Sequence, residues 1–266
     1  MTPVTVTRGD APIVLGLPHA GTEVPPEIAQ TLNKTGKALA DTDWHVDALY
    51  NGLLPQATVV RAAFHRYVID ANRDPDGHSL YPGQNTTTLV PLTDFDGQGI
   101  WTTPPTDADV ADRRAAFHTP YHAVLTSEIA RLRQKHGAVI LFDCHSIRSR
   151  IPFLFDGVLP DFNIGTDDGK TCAPQIAQAV QDICCAAPGY STVVNGRFKG
   201  GWTTRHYGRP AEGVHAIQME LAQSTYLTDE AAPWTVDPAK TARLRHHLTH
   251  ILAMLTALVP TLGGSR

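Results

Sequence analysis

The sequence predicts an α/β fold in which helices cover both faces of a largely parallel sheet. Two observations predict it. Short runs rich in apolar and β-branched residues alternate with helical patterns from end to end of the chain. The strongest run, Ala138–Phe142 (AVILF), has no polar side, as a strand buried on both faces requires.

Taken in order, Ala11–Leu17 (APIVLGL) reads as a buried strand that runs into a loop at Pro18-His19. Pro25–Leu32 reads as a short helix with proline in its first turn. Asp43–Leu54 carries Trp44, Ala48, Leu49 and Leu53 at helical spacing, with Asp41 or Thr42 as N-cap. Ala57–Ala63 and Tyr67–Ala71 are rich in β-branched residues and read as strands. From Asp74 to Thr106 the chain is dense in Gly, Pro, Asp and Thr. It still holds Tyr81, Leu89, Phe95 and Trp101, so an ordered, functional loop is expected.

Asp107–Lys135 predicts a long helix, interrupted near Pro120, with Phe117, Tyr121, Val124, Ile129 and Leu132 on its apolar face. Gly137 ends it, and the AVILF strand leads directly into Asp143-Cys144-His145-Ser146. Pro174–Cys185 predicts a helix, Ser191–Val194 a strand, Val214–Leu221 a strand carrying Glu220, and Asp237–Leu258 a closing amphipathic helix. With no Gly/Ser or charged linker and no internal repeat, residues 1–266 are expected to form one domain.

Composition removes several function classes. The net charge of -4 and the absence of a basic block argue against nucleic acid or an anionic membrane as partner. The first residues lack the pattern of a signal peptide, and the best apolar run, Ile251–Val259, is about half the roughly 20 residues a span needs. Four cysteines without CxxC spacing suit free thiols in a reducing cytoplasm and make a cysteine zinc cluster a poor expectation.

The candidate chemistry sits where predicted strands end: His19 after VLGLP, Asp70-Asn72-Arg73 after YVI, and Asp143-His145 after VILF. Ligands of open α/β sheets collect there. Two imidazoles, a carboxylate and an open position form the usual catalytic zinc site, and Asp143 is close enough to orient the His145 ring. Glu23, Asp41, Asp43 and His45 are all candidates for the third ligand. Glu220 interrupts the apolar VHAIQMEL, where a carboxylate is costly unless paired or catalytic, and burial would raise its pKa. Arg66, Arg73, Arg148, Arg150, Arg197, Arg205 and Arg209 fall in loops or strand ends, and their guanidinium forks suit a dicarboxylate substrate.

Seven blocks, in order along almost the whole chain, carry a resemblance: PHAGTEVP (18–25), DTDWHVDALY (41–50), RYVIDANRDPDG (66–77), LYPGQNTTTLVPLTDFDGQGIW (80–101), DCHSIRSRIPFLFDGVLPDFNIGT (143–166), NGRFKGGWTTRHYGRP (195–210) and QMELAQSTY (218–226). Together they resemble the N-formylglutamate amidohydrolases of histidine utilisation, a family similar in fold and site order to zinc carboxypeptidases and aspartoacylases. The resemblance implies a three-layer α/β/α fold with a mixed, largely parallel sheet. It also implies one divalent metal ion, zinc the first expectation, on His19, Asp43 and His145. Carboxypeptidase-like sites place the acid three residues after the first His, but position 22 here is threonine. The ligand is then Glu23 or, as the resemblance to the DTDWH block favours, Asp43.

The same resemblance implies Glu220 as catalytic base, with Asn72 and Arg73 holding one substrate carboxylate. Arg148, Arg197 or Arg205 would hold the other or stabilise the oxyanion. The implied reaction is hydrolysis of N-formyl-L-glutamate to formate and L-glutamate in histidine degradation, on a small acidic N-acyl amino acid with neither nucleic acid nor membrane as partner. Rival readings are a related amidohydrolase for another N-acyl amino acid or peptide, a non-catalytic dicarboxylate binder, and a cysteine hydrolase using Cys144.

Overall fold

The strand that begins at Val139 runs on through its own polar residues. In the computed structural model, which describes residues 2–80, 83 and 85–262, it spans Val139–Ile147 and pairs in parallel along all nine residues with Val214–Ala222. The described strands are β1 (Val4–Thr7), β2 (Ile13–Leu17), β3 (Thr58–Ala62), β4 (Val139–Ile147), β5 (Phe162–Gly165), β6 (Thr192–Val194) and β7 (Val214–Ala222). They form one sheet in the order β1-β3-β2-β4-β7-β5-β6. The central β3-β2-β4-β7 pairings and β5-β6 are parallel, while β1 and β5 join antiparallel to β3 and β7. The expected mixed, largely parallel sheet is what forms.

Strand alternation divides the core into two layers. Ile13, Leu15, Leu17, Ile140, Phe142, Cys144, Ile217, Met219 and Leu221 pack on one face. There they meet α3 (Val46–Tyr50), α6 (Pro174–Cys185) and α8 (Pro238–Leu262). Val14, Val60, Val139, Leu141, Val214 and Ala216 point the other way, under Tyr121, Leu125, Ile129 and Leu132 of α5 (Thr119–His136). On that second face the alternation continues from Leu141 to Asp143 and His145, and from Ala216 to Gln218 and Glu220. The register sets Asp143 beside Gln218 and His145 beside Glu220. The structure corrects the expectation that Asp143 and His145 follow their strand, and bears out the strand carrying Glu220: apolar composition ends at Phe142, but the ladder does not.

The long helix is interrupted as expected. It comprises α4 (Asp107–Arg113), a π turn at Arg114–His118, and α5. Pro120 lacks an N–H and its ring crowds the carbonyl four residues back, so the helix widens by one residue just before it. Thr106 opens α4 with a capping box shared with Asp109.

Several expectations need correcting. Tyr67–Ala71 is a buried turn and not a strand: Val68 N–H donates to the His65 carbonyl and Asp70 N–H to that of Leu89. Its β-branched composition reflects burial alone. Pro25–Leu32 is helical only over α1 (Pro26–Ala29), and Asp43–Leu54 only over α3. Neither Asp41 nor Thr42 caps α3, which starts from His45 at φ 61°. The Asp41 carboxylate instead accepts from Tyr67 Oη and Phe95 N. β1, β5, the short α2 (Lys34–Lys37) and α7 (Trp202–Tyr207) carry too little periodic pattern to be read from sequence. The 74–106 loop is anchored by buried Leu89, Phe95 and Trp101; Tyr81 lies outside the described residues. No helix among the described residues is long and apolar enough to cross a membrane.

Candidate metal centre and active site

Three segments converge at the C-terminal ends of β2 and β4. Asp43 N–H donates to the His19 carbonyl at 3.1 Å, binding the loop before α3 to the loop after β2. The Asp43 carboxylate then reaches β4, where its Oδ2 accepts the Ser146 backbone N–H at 3.0 Å. As a result His19 Nδ1 and His145 Nδ1 face each other at 3.2 Å, with Asp43 Oδ2 3.2 Å from His145 Nδ1 and 3.8 Å from His19 Nδ1. All three residues are buried, and their ligand-type atoms lie within 4.8 Å of one another.

This arrangement fits a cation. Asp70 Oδ1 lies 2.6 Å from His19 Nε2 and accepts only, so the ring proton sits there and Nδ1 presents a lone pair. One proton on His145 Nδ1 could satisfy either that lone pair or Asp43, but not both. Asp143 Oδ1 stands 3.1 Å from His145 Nε2, placed to draw the proton to the far side of the ring. Two buried carboxylate oxygens, Asp70 Oδ2 and Asp143 Oδ1, receive no aligned hydrogen bond. Around the cluster four buried carboxylates (Asp43, Asp70, Asp143, Glu220) meet two guanidinium groups, Arg66 and Arg73. Two imidazoles with a carboxylate are a zinc-type donor set.

The electrostatics point the same way. Burial, reinforced by Arg66, lowers the His19 pKa to about 4, which keeps the ring neutral as a ligand must be. Burial also disfavours charge on His145, but Asp143, Asp43 and Glu220 together outweigh burial and lift its pKa well above the ordinary value. The surroundings therefore favour positive charge at this point. Burial, with Asp43 adding to it, pushes the Glu220 pKa up to about 8, against the opposing pull of His145 and Arg66. Gln218 Nε2 donates to Glu220 Oε2 at 3.1 Å, its amide orientation fixed by Gly201 N–H donating to its Oε1.

The site opens into a pocket of about 630 Å³ that includes open solvent. His19, His145 and Glu220 form part of its floor, and Arg66, Asn72, Arg73, Phe95 and Arg197 its walls. The Asn72 side chain is oriented by Thr203, whose backbone N–H donates to its Oδ1 at 2.8 Å, and its Nδ2 lies 3.1 Å from His145 Nε2. Arg73 is oriented by the carbonyl and hydroxyl of Thr87. Arg66 is buried, with Nη2 3.3 Å from Asp43 Oδ1, its guanidinium over the Phe95 ring, and its Nε without a hydrogen-bond partner.

Residues 11–227 match the N-formylglutamate amidohydrolase family. The chain belongs to that family. It is 44% identical over 253 residues to an N-formylglutamate deformylase of Pseudomonas aeruginosa, covering 92% of this chain and 94% of that protein. To an N-formylglutamate deformylase of Pseudomonas putida it is 45% identical over 231 residues, covering 86% of each. The solved structure of an N-formylglutamate amidohydrolase from Ralstonia eutropha superposes with a TM-score of 0.82 at 28% identity, over 98% of this chain and 99% of that one. A gene product of Agrobacterium tumefaciens shares the fold at a TM-score of 0.74 and 18% identity, over 97% of this chain and 96% of its own.

Within this family fold, His19, His145, Asn72, Arg73, Arg197 and Glu220 line the pocket, and Asp43 adjoins the two histidines. The other candidate ligands do not. Glu23 is exposed and its backbone pairs with Phe64, Asp41 holds Tyr67 and Phe95, and His45 Nε2 bonds the Trp234 carbonyl. Arg148 and Arg205 fall outside the pocket lining, a correction to the expected clamp. Arg148 pairs with Asp96 at 2.9 Å, tying one loop to another, and Arg205 of α7 pairs with Asp167 at 3.0 Å. Cys144 packs in the opposite core, where burial pushes its thiol pKa well up, so it cannot serve as a nucleophile beside His145.

Sequence reasoning assigned no role to Asp70, Gln218 or Gly201. One signal was available: Gln218 lies two residues before Glu220 on a strand, hence on the same face.

Proposed function

We propose that this hydrolase cleaves N-formyl-L-glutamate to formate and L-glutamate, using one divalent metal ion, zinc the first candidate, held by His19, Asp43 and His145. The observation that carries the reading is the placement of a buried Glu220, with its raised pKa, beside those three donors in a pocket walled by guanidinium groups. A divalent ion at that centre supplies Lewis acidity toward the formyl group and the attacking water.

The chain's own residues account for the rest. Glu220, in its carboxylate form, takes a proton from the water whose oxygen bonds to the formyl carbon. It then returns that proton to the nitrogen as the C–N bond breaks, leaving a free amine and formic acid, which ionises to formate. Gln218 orients the carboxylate for both transfers. Arg66 lines the pocket and is the candidate donor to the oxyanion. Arg73 and Asn72 take one substrate carboxylate and Arg197 the other, so an acidic side chain is selected by charge and a forked fit. Three buried thiols, Cys144, Cys172 and Cys184, and one exposed, Cys185, suit the reducing cytoplasm, the proposed location.

Formate release from N-formyl-L-glutamate, compared with release of acetate and succinate from the N-acetyl and N-succinyl analogues, tests the assignment. Strong preference for the formyl compound is expected. Equal rates on the bulkier acyl groups would replace it with a broader N-acyl amino acid amidohydrolase.

A further inference from the structure

Behind the Asn72-Arg73 wall of the pocket stands a group of histidines to which the reaction gives no part. His118 closes the π turn, and His122 lies one helical turn further on in α5. Their rings are therefore on the same face, with centroids 4.4 Å apart. Both residues are buried. His122 Nε2 donates to the Ala71 carbonyl at 2.8 Å, and His118 Nε2 to the Arg73 carbonyl at 3.1 Å. The two carbonyls flank Asn72.

The tautomers are set by their surroundings. A carbonyl only accepts, so each Nε2 carries the proton, and Tyr207 Oη, 3.0 Å from His122 Nδ1, can donate to the nitrogen left over. Trp202 packs edge-on against His122 at 4.7 Å. Trp202 and Tyr207 are the two ends of α7, and Thr203, between them, donates its backbone N–H to Asn72 Oδ1. The main chain of the 71–73 segment and the side chain of Asn72 are thus fixed by a single packed unit of α5 and α7.

We infer that His118 and His122 are positioning residues that hold the Asn72-Arg73 main chain, and through it the substrate-carboxylate clamp. A histidine used only as filler could be replaced by leucine; one used as a donor cannot. Burial lowers the pKa of both, His122 to about 3 with His118 adding to the effect, so each works as a neutral donor. The inference rests on the substrate reading given above, and its test separates the two.

The variants are H122L and H122Q, with the pair H118L and H118Q as a second set should H122L fail to fold. Glutamine places an amide N–H where the imidazole Nε2–H stood. With N-formyl-L-glutamate, H122L should raise KM about tenfold and change kcat less than about threefold, the loss expected when one buried donor no longer holds a binding segment. H122Q should bring KM back to within about twofold of wild type. Independently of turnover, the Asn72 side-chain amide resonances, identified by their loss in N72D, should move in the leucine variants and return in the glutamine variants.

A wild-type protein that does not hydrolyse N-formyl-L-glutamate refutes the proposed function, while the amide resonances still decide the positioning role. Unmoved Asn72 resonances in H122L, the same KM in the leucine and glutamine variants, or a kcat loss without a KM change overturns the inference.

Discussion

Replacing Asp70 should weaken metal binding although Asp70 is not one of the proposed ligands. Its Oδ1 accepts from His19 Nε2 at 2.6 Å and from Asn72 N–H at 2.8 Å, and its Oδ2 lies 3.8 Å from Arg73 Nη1. The short contact fixes the His19 tautomer and raises the basicity of Nδ1, the atom facing the proposed ion. A hydrogen bond to a charged group contributes about 1.5–3 kcal/mol and a neutral one about 0.5–1.5 kcal/mol. Asp70→Asn keeps the shape and an acceptor oxygen but loses the charge, a net loss of about 1–1.5 kcal/mol, or about tenfold in metal affinity. Asp70→Ala removes the bond altogether and should approach a hundredfold, the upper range for outer residues of metal sites.

Zinc titrated against a chromophoric chelator reads the affinity directly. Asp70→Asn should also raise KM, because its amide would face Arg73 where a carboxylate stood. Wild-type zinc affinity in Asp70→Ala would show that His19 is not a ligand through Nδ1, and the centre as described would be wrong.

Gly201→Ala should lower kcat/KM by at least about tenfold, because a Cβ at 201 would sit 2.3 Å from Asn72 Nδ2 and 2.5 Å from Oδ1 and push the clamp aside; kinetics at wild-type level would mean Asn72 does not bind substrate. Exhaustive chelation should abolish formate release and zinc should restore it, with a fall in Tm matching about 2.7 kcal/mol for an ion held at a hundred times its Kd; full activity after chelation would remove the metal from the reaction. Stability should depend on pH through His122. Burial, with His118 and His206 nearby, puts its folded pKa at about 3 against 6.5 in the unfolded chain. Between these values the unfolded state binds more protons, so this contribution is complete above 6.5 and is lost as pH falls toward 3. Denaturant titrations should show wild type losing stability relative to H122Q across that window, and a constant difference would contradict the buried neutral assignment.

The fold was legible where one pattern dominated. Val139–Phe142 is apolar throughout because both faces are covered, and the α8 stripe of Leu244, Leu248, Ile251 and Leu255 repeats at helical spacing. It was illegible where burial and hydrogen bonding part company. Tyr67–Ala71 is fully buried, but its N–H groups go to a turn and a loop, so strand composition there reports only the absence of water. Beyond Phe142 the opposite holds: polar residues continue a strand because Asp143 and His145 have somewhere polar to point. Such violations of local pattern are expected at functional sites.

The site was legible as a set of residue types but not as a set of distances. Glu23 and Asp43 are equally acceptable chemically, and Glu23 is the nearer to His19 in sequence. What sets them apart in space is a main-chain bond, Asp43 N–H to the His19 carbonyl, which no side-chain pattern encodes. It brings a segment 24 residues downstream against the loop after β2, and the Ser146 N–H then fixes the direction of the carboxylate. The arginines divide by the same logic. Arg73 and Arg197 reach the pocket because loop carbonyls hold them there, whereas Arg148 and Arg205 spend their charge on Asp96 and Asp167 at the surface. Which guanidinium lines the pocket is set by such contacts, and that distinction exists only in three dimensions.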